Sequence, residues 1–346
     1  MGIDLGDLVK REPTTLAAWQ GKRVAVDAWN VLYQFLSGIR SRDGSPLMDS
    51  KGRITSHLAG VLHRSAAWHE AGLKPVWVFD GKAHPLKRET LAVRSARRQQ
   101  AEVDYAQAVE AGDEERARTK AQQAMKMTWE MADEAKDLLR ALGIPVVEAP
   151  SEGEAQAAWM AATGVVDAVV SQDFDVLLFG GPVVLRNMAS TGKRKLPGKQ
   201  VWTNVEPECL RLDAAQLPRD LLVEVALLVG TDFHPGIKGI GAKKAAALIS
   251  KYHGLEPLLA KLAKEQNPES AAERAILEQH ESLLDRDAVR ELFLHPPHVE
   301  CDMSAAKIQP DSVRRLLVEE RGFDVARIDS ALEKFGAKGP VQQRLF

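Results

Sequence analysis

Short valine-rich apolar segments alternate with longer amphipathic segments through the first half of the chain. The apolar segments fall at 22–28, 75–80, 145–148, 167–171 and 182–187. Segments with helical periodicity lie between them, at about 30–38, 55–70, 88–141 and 151–164. Near-continuous apolar runs of this length are typical of strands buried on both faces of a parallel sheet. The alternation of strands and helices therefore predicts an α/β fold built on a parallel sheet.

The segment 88–141 favours helix almost throughout, and Gly112-Asp113 is its only clear interruption. We therefore expect two helices, the second of which ends at Gly143. A long charged insertion between two strands of one sheet seldom contributes to a core. We interpret it as an arch over a functional site, with a plain helical hairpin as the alternative.

Helices are expected to dominate again from about residue 207 to residue 335. The predicted organisation is an N-terminal region at 1–98, an arch at 99–143, an internal region at 144–255, a helical C-terminal region at 256–335 and a tail at 336–346. The tail has no secondary-structure signal, and we expect it to be disordered when free.

Composition excludes several classes of protein. Hydrophobic residues make up 45% of the chain, which is enough for a large core, and the net charge of −2 excludes a strongly basic domain. Cys209 and Cys301 lie far apart, so a disulfide framework and a structural zinc site are both disfavoured. The sequence shows no apolar segment of signal-peptide or membrane-spanning length, which predicts a cytoplasmic protein with no membrane partner.

Acidic residues follow the apolar runs repeatedly. The seven that do so are Asp27, Asp80, Glu152, Glu154, Asp173, Asp175 and Asp232. Because the carboxyl ends of parallel strands meet at one edge of a sheet, these side chains are expected to gather there. Oxygen ligands without His or Cys favour Mg²⁺ or Mn²⁺, and this many acids suggest two ions. The alternative for any one Asp is a turn residue that closes a strand.

The two-residue spacing within the pairs Glu152/Glu154 and Asp173/Asp175 strengthens the metal interpretation, since in an extended chain such side chains point the same way. Glu154 has a second possible role. If Ser151 is the N-cap of the following helix, Glu154 stands at the third helical position and completes a capping box. Both roles are compatible.

Basic residues are concentrated in three segments, at 82–98, 186–199 and 238–251. Cations around an acidic centre are typical of a nucleic-acid enzyme, which binds phosphates at its flanks and metal ions in the middle. For any one segment, the alternative is a solvated lysine-rich surface.

The glycine-rich segment 236–249, GIKGIGAKKAAALI, predicts a phosphate-binding turn. Gly239 and Gly241 allow a tight turn before a helix that starts near Ala242, and Lys243 and Lys244 add positive charge. This layout is that of a helix-hairpin-helix element, which contacts the DNA backbone without reading sequence. The alternative is a glycine turn between two core helices.

Ordered motifs across residues 1–255 make this chain resemble the flap endonucleases of the structure-specific 5′ nuclease superfamily, particularly the archaeal type. The motifs are MGIDLGDL, DAWNVLYQFL, DGSPLMDSKGRITSHL, VFDGKAHPLKRETLAVRSARR, APSEGEAQAA, SQDFDVLLFG and GTDFHPGIKGIGAKKA. The resemblance implies a PIN-like α/β core with a helical arch. It also implies hydrolysis of a DNA phosphodiester at the base of a displaced 5′ flap, and 5′ exonuclease activity at nicks and gaps, in replication and repair.

The same resemblance implies roles for individual residues. Asp27, Asp80, Glu152 and Glu154 would bind one Mg²⁺, and Asp173, Asp175 and Asp232 the other, with Mn²⁺ as a substitute. Lys87 and Arg94, seven residues apart on the arch helix, would contact the scissile phosphate. Tyr33 would stack on the base beside the cut, although a core aromatic is the alternative. Further DNA contacts would come from Gly2, Arg40, Arg64 and Gly230.

The end of the chain departs from the family pattern. Gln342 and Leu345 fit a sliding-clamp-binding motif, but the chain stops at Phe346, where the family usually has two aromatic residues. A weakened clamp contact is therefore expected, and a tail with no partner is the alternative. The resemblance further implies a monomer that works at the nucleoid.

Four other functions remain open at this point: a processive 5′ exonuclease, a junction resolvase, a PIN-type ribonuclease and a non-catalytic DNA-binding scaffold. The first two share the acids. A scaffold has no need of all seven acids, and PIN-type ribonucleases lack the glycine hairpin and the long arch.

Overall fold

The computed structural model describes residues 3–41, 45–190, 193–195, 202–265, 268–304 and 306–336. Most strands of this range belong to one sheet. Its strands are β1 (Val9–Pro13), β2 (Arg23–Asp27), β3 (Lys74–Phe79), β4 (Val146–Glu148), β5 (Ala168–Val170), β6 (Val183–Arg186) and β9 (Glu208–Ala215). A separate antiparallel pair consists of β7 (Lys193–Lys195) and β8 (Trp202–Asn204).

The helices cover both faces of the sheet and form the C-terminal region. Those up to β9 are α1 (Ala28–Gly38), α2 (Ser56–Glu70), α3 (Arg88–Glu110), α4 (Glu114–Ala124), α5 (Trp129–Ala141), α6 (Gly153–Ala162) and α7 (Asp175–Leu178). Those after β9 are α8 (Arg219–Val229), α9 (Ala242–Tyr252), α10 (Leu255–Glu265), α11 (Ala271–Glu278), α12 (Arg286–Leu294), α13 (Pro310–Arg314) and α14 (Val325–Glu333). Among the described residues, no helix has the length and apolar composition needed to cross a membrane.

The centre of the sheet is parallel, which confirms the predicted α/β architecture. The strands lie in the order β1-β9-β6-β5-β2-β3-β4, and every pair from β6 to β4 is parallel. In β2, Val24 and Val26 pack into one hydrophobic cluster and Ala25 into the other, on the opposite face. Burial on both faces explains why the strand is apolar at successive positions.

Two antiparallel strands extend this parallel sheet, and the prediction of helices from residue 207 was wrong at its start. β9 pairs antiparallel with β6, and β1 pairs antiparallel with β9. Cys209 and Leu210 are both buried, on opposite faces. The sheet is therefore mixed. The pairing of β1 with β9 joins residues about 200 positions apart, so no local pattern indicates it.

The predicted pair of helices between residues 88 and 141 is in fact three. A second break falls at 125–128, where Met125 and Met127 pack into the core instead of continuing the helix. Thr128 caps the next helix, because its side chain accepts a hydrogen bond from the amide of Met131 (3.3 Å). The helices α3 and α4 pack on each other. In contrast, α5 packs on α2, although the predicted arch included it.

Candidate active site

The predicted acids converge at the carboxyl edge of the parallel strands. Asp27 is the last residue of β2 and the N-cap of α1, where its Oδ1 accepts the amide hydrogen of Asn30 (3.1 Å). Its Oδ2 accepts a hydrogen bond from the hydroxyl of Ser171 (3.0 Å), which follows the parallel neighbour β5. Asp80 follows β3, on the other side of β2.

Burial, together with neighbouring negative charge, raises the pKa values of these acids. Burial, followed by the charge of Asp80, raises the pKa of Asp27 to about 7. Burial also raises the pKa of Asp80 to about 6, with Glu152 contributing in the same direction and Lys87 opposing it. The arrangement favours the binding of cations, because each carboxylate lies within reach of another.

Glu152 and Glu154 reach the same edge from the start of α6. The helix begins at Gly153 with Glu152 as its N-cap, so the prediction that Ser151 is the N-cap was wrong. The capping box is therefore absent, and Glu154 instead accepts a hydrogen bond from the Ser171 hydroxyl (3.1 Å). Burial and the charges of three neighbouring aspartates raise the pKa of Glu154 well above its ordinary value.

Gly153 allows the start of α6 to approach Asp80 closely. Its amide donates a hydrogen bond to Asp80 Oδ1 at 2.7 Å. A Cβ atom at this position would lie 2.6 Å from the same oxygen, which is closer than real side chains come. A side chain here would displace the Asp80 carboxylate, so glycine lets the main chain hold it in this position.

Asp173 and Asp175 follow β5. Asp173 Oδ2 accepts a hydrogen bond from the side-chain amide of Asn30 (3.0 Å), and Asp175 Oδ1 accepts one from the amide of Ile3 (3.3 Å). Burial, then the charges of Asp173 and Asp232, raise the pKa of Asp175 to about 7. Asp232 therefore lies at the same site, although it belongs to the loop after α8.

The two cations predicted from the arch helix contact this acidic cluster. The ammonium group of Lys87 forms an ion pair with Glu152 and lies 3.8 Å from Asp232. Arg94 donates to Asp232 Oδ1 at 2.5 Å. Burial opposes the charge of Lys87, but Glu152, Asp80 and Asp232 outweigh it and raise the pKa of this lysine. Arg94 lies on α3 and Lys87 is the N-cap residue just before it, and both side chains reach the acids.

Ser171 and Asn30 were missed by the sequence analysis. The Ser171 hydroxyl lies within hydrogen-bond distance of both Asp27 and Glu154, which share its single hydrogen, and it accepts a hydrogen bond from the amide of Asp173 (3.2 Å). Asn30 contacts Asp173 through its side chain and Asp27 through its amide. A weak signal was available, since Ser171 directly follows a buried strand and Asn30 lies in the first turn after Asp27.

The donor chemistry of the cluster suits a hard divalent cation. All its acidic ligands are carboxylates, and several are buried among like charges that a cation would offset. In the arrangement seen here, the described part of the chain contains no group of three or more His, Cys, Asp or Glu side chains poised to hold a metal ion together. Glu152 and Asp232 are paired with Lys87 and Arg94 instead.

The predicted DNA-binding residues of α1 and α2 lie outside the acidic cluster. Tyr33 is 43% exposed on α1, so it is not a core aromatic. Arg40, at the end of α1, donates to the backbone carbonyl of Ser37 (3.0 Å). Arg64, on α2, is half-buried, its Nε is buried, and burial lowers its pKa. No acidic partner of Arg64 occurs among the described residues.

The glycine hairpin connects α8 to α9. Gly230 ends α8 with φ +101°, and a Cβ atom there would lie 2.7 Å from the carbonyl oxygen of Pro235. Gly239 has φ +93°, and Gly241 is the N-cap of α9 with no side-chain capping hydrogen bond. The turns at Gly230 and Gly239, where φ is positive, therefore need glycine.

The two lysines of this hairpin are exposed. Lys243 is 75% exposed and lies 3.1 Å from Asp7, and Lys244 donates to the carbonyl of Gly239 at 3.4 Å. The predicted contact residues Gly2, Gln342, Leu345 and Phe346 lie outside the described residues.

Comparisons with known proteins identify the family of this chain. The XPG N-terminal domain family model matches residues 3–101, and the XPG I-region model matches residues 143–232. Flap endonuclease 1 of Pyrococcus abyssi is 45% identical over 341 residues, covering 96% of this chain and 94% of the relative. Flap endonuclease 1 of Archaeoglobus fulgidus is 44% identical over 351 residues, covering 100% and 99%.

Solved structures show the same similarity. Flap endonuclease-1 from Methanococcus jannaschii superposes with a TM-score of 0.72 at 34% identity, covering 96% of this chain and 98% of that structure. The catalytic core of Rad2 in complex with a DNA substrate gives a TM-score of 0.66 at 25% identity, covering 94% and 96%.

Proposed function

The chain belongs to the flap endonuclease family and is a structure-specific 5′ flap nuclease, and we propose how its own residues perform that reaction. The single observation that carries the proposal is the gathering of seven acids and two cations of the arch at one edge of the sheet. The chain is thus a phosphodiester hydrolase that acts on DNA.

The family is generally dependent on divalent metal ions, and we propose two Mg²⁺ ions for this chain, with Mn²⁺ as a substitute. One ion would be held by Asp27, Asp80, Glu152 and Glu154, and the other by Asp173, Asp175 and Asp232. Bound there, the ions would act as Lewis acids and offset charge on the phosphate oxygens. Ser171 and Asn30 would fix the carboxylates from behind through the hydrogen bonds described above.

Lys87 and Arg94 act on the scissile phosphate in this proposal. Their ion pairs with Glu152 and Asp232 hold both cations at the site before DNA arrives. Turned from these acids toward the DNA, the two cations would donate to the phosphate oxygens and stabilise the negative charge that develops in the transition state. The aromatic ring of Phe233, 5.5 Å from the Lys87 ammonium, limits the directions that this side chain can take.

DNA is bound on both sides of the acids in this proposal. Tyr33 stacks on the base next to the cut, and Arg40 and Arg64 bind phosphates. A half-buried guanidinium whose Nε has no hydrogen-bond partner is costly, so a phosphate beside Arg64 would offset that cost. On the other side, the uncapped start of α9 and the pair Lys243 and Lys244 bind the duplex backbone, with Gly230, Gly239 and Gly241 shaping the turn. Gly2 would add a contact from the amino terminus.

The decisive experiment compares matched substrates that differ only in structure. Cleavage of a 5′-flap duplex, a nicked duplex, a gapped duplex, a four-way junction, free single-stranded DNA and a flap made of RNA is measured with Mg²⁺, with Mn²⁺ and with EDTA. We expect cleavage at the flap base to dominate, with exonuclease products at nicks and gaps, and no cleavage in EDTA. Dominant cleavage of the junction or of RNA would refute the assignment.

The tail and the oligomeric state complete the proposal. We propose a monomer whose residues Gln342, Leu345 and Phe346 bind a sliding clamp weakly, so that the clamp stimulates cleavage by tethering. Deleting residues 341–346 should leave clamp-free cleavage unchanged and remove stimulation by the clamp. Equal stimulation of the deletion variant and the intact chain would show that the tail has no such partner.

A further inference from the structure

Trp129 is a large aromatic side chain that the fold leaves exposed. It is 56% exposed and is the first residue of α5. The strands β3 and β4 are parallel, so the chain must return from the carboxyl edge of the sheet to the amino edge between them. The helix α5 makes this return, which places its first residue at the same edge as the acidic cluster.

A second tryptophan ties Trp129 to the active site. The rings of Trp129 and Trp29 meet edge to face, with centroids 4.8 Å apart and an angle of 78°. Trp29 comes two residues after Asp27, and its neighbour Asn30 donates to Asp173. Tyr33 follows Trp29 by one turn of α1 and is also exposed. Three aromatic residues thus lie along α1 and at the start of α5, next to the acidic cluster in the case of Trp29 and farther from it in the case of Tyr33.

Cations lie near this aromatic strip. Arg40 at the end of α1 is close enough to Arg118 of α4 for burial and the Arg118 charge together to lower its pKa. Lys126, in the segment that joins α4 to α5, is exposed. Exposed aromatic rings flanked by cations are the features that bind single-stranded nucleic acid, because bases stack on the rings while phosphates meet the charges.

We propose that Trp129, supported by Trp29, stacks on an unpaired nucleobase of the displaced 5′ strand where that strand leaves the active site toward the arch. Trp129 is a positioning residue in this scheme, because it touches the strand outside the reacting phosphate. The proposal rests on the flap nuclease function and adds a contact to it. The competing role is structural, in which the pair of rings only holds the start of α5 against α1.

The test uses the fluorescence of 2-aminopurine, which is quenched when the base stacks. The analogue is placed at successive positions of the 5′ flap, and quenching by the full-length protein is recorded in EDTA, so that no cleavage is needed. The variants are W129A, W129F and W19A. Trp19 is a matched control, because it precedes β2 and so lies at the opposite edge of the sheet.

We expect one or more flap positions to be quenched by the unaltered protein and by W129F and W19A, but not by W129A. The dissociation constant of the flap substrate should rise about fivefold or more in W129A. That of a nicked duplex without a flap should stay the same. The melting temperature of W129A should change little, because more than half of this side chain is already exposed.

Three results would overturn the proposal: quenching that persists in W129A, an equal loss of affinity for the flap and for the nicked duplex, or a loss of quenching in W19A equal to that in W129A. The readout is separate from the proposed function. Loss of metal-dependent cleavage with intact, Trp129-dependent quenching would count against the assigned metal ligands and leave this inference standing.

Discussion

The acidic edge of the sheet and the glycine hairpin both handle charge, but they do so in opposite ways. At the acidic edge, carboxylates such as Asp27 and Asp175 are buried, and each is held by defined donors. In the hairpin, Lys243 and Lys244 extend into solvent, and Gly239 and Gly241 leave the main chain uncovered. The first region fixes geometry at a high cost in charge repulsion, whereas the second offers charge at almost no structural cost.

The difference suggests that the acidic edge sets the rate of cleavage and the hairpin sets the affinity for DNA. Buried carboxylates with raised pKa values respond strongly to any change of partner, because low solvent exposure amplifies each electrostatic interaction. Exposed lysines act through screened, additive contacts with phosphates. Substitutions at the acidic edge should therefore change the rate of cleavage, and substitutions in the hairpin should change binding and its salt dependence.

The largest effect is expected for Asp175→Ala. Loss of this buried carboxylate should abolish cleavage, because it removes a proposed metal ligand at the centre of the cluster. Binding of flap DNA should stay within a few-fold, since one negative charge that repels the phosphate is also removed. Single-turnover cleavage and a binding titration check this. A folded variant that loses binding in parallel with cleavage would contradict the proposed role.

The next largest effects are expected for Lys87→Ala and Arg94→Ala. Each should slow single-turnover cleavage by about 10²-fold, because a donor to charge in the transition state is lost. Arg88→Ala is the matched control, since this exposed neighbour on α3 forms no ion pair among the described residues. Near-normal cleavage rates at saturating enzyme would show that Lys87 and Arg94 are ordinary surface charges with no role in the reaction.

Ser171→Ala should have an intermediate effect. Removing the hydroxyl that donates toward Asp27 and Glu154 should lower the rate by about tenfold and weaken the affinity for Mg²⁺, with little change in DNA binding. Ser65→Ala is the control, because its buried hydroxyl has no hydrogen-bond partner in the described part of the chain. Equal behaviour of the two variants in a Mg²⁺ titration would show that Ser171 does not position the acids.

The smallest effect at low salt is expected for the double variant Lys243→Ala/Lys244→Ala. The slope of log affinity against log salt concentration should become less negative by about one to two units, since each phosphate contact contributes about 0.9 to it. The rate at saturating enzyme should not change. Lys74→Ala, an exposed lysine at the opposite edge of the sheet, should leave the slope unaltered. An unchanged slope in the double variant would show that these two lysines do not contact DNA phosphates.

Much of the fold could be predicted because it depends on patterns of residues that are close together in the sequence. The parallel strands, α1, α2 and α9 all fall within a few residues of their predicted positions, since apolar runs and helical periodicity depend only on neighbouring residues. The break at 125–128 could not be predicted in the same way. Met125 and Met127 suit a helix, and only the core that receives them makes the chain leave one.

The sequence by itself determined which acids follow which strands, and a parallel sheet is enough to bring such residues to one edge. Only the tertiary structure decided which groups hold them. Ser171 meets Asp27 across 144 positions of the chain, Ile3 meets Asp175 across 172, and Trp29 meets Trp129 through the packing of two helices. The antiparallel strands β1 and β9 depend on a pairing of the same kind. The physical reason is that hydrogen bonds and ring contacts depend on distance in space, which a pattern of neighbouring residues does not record.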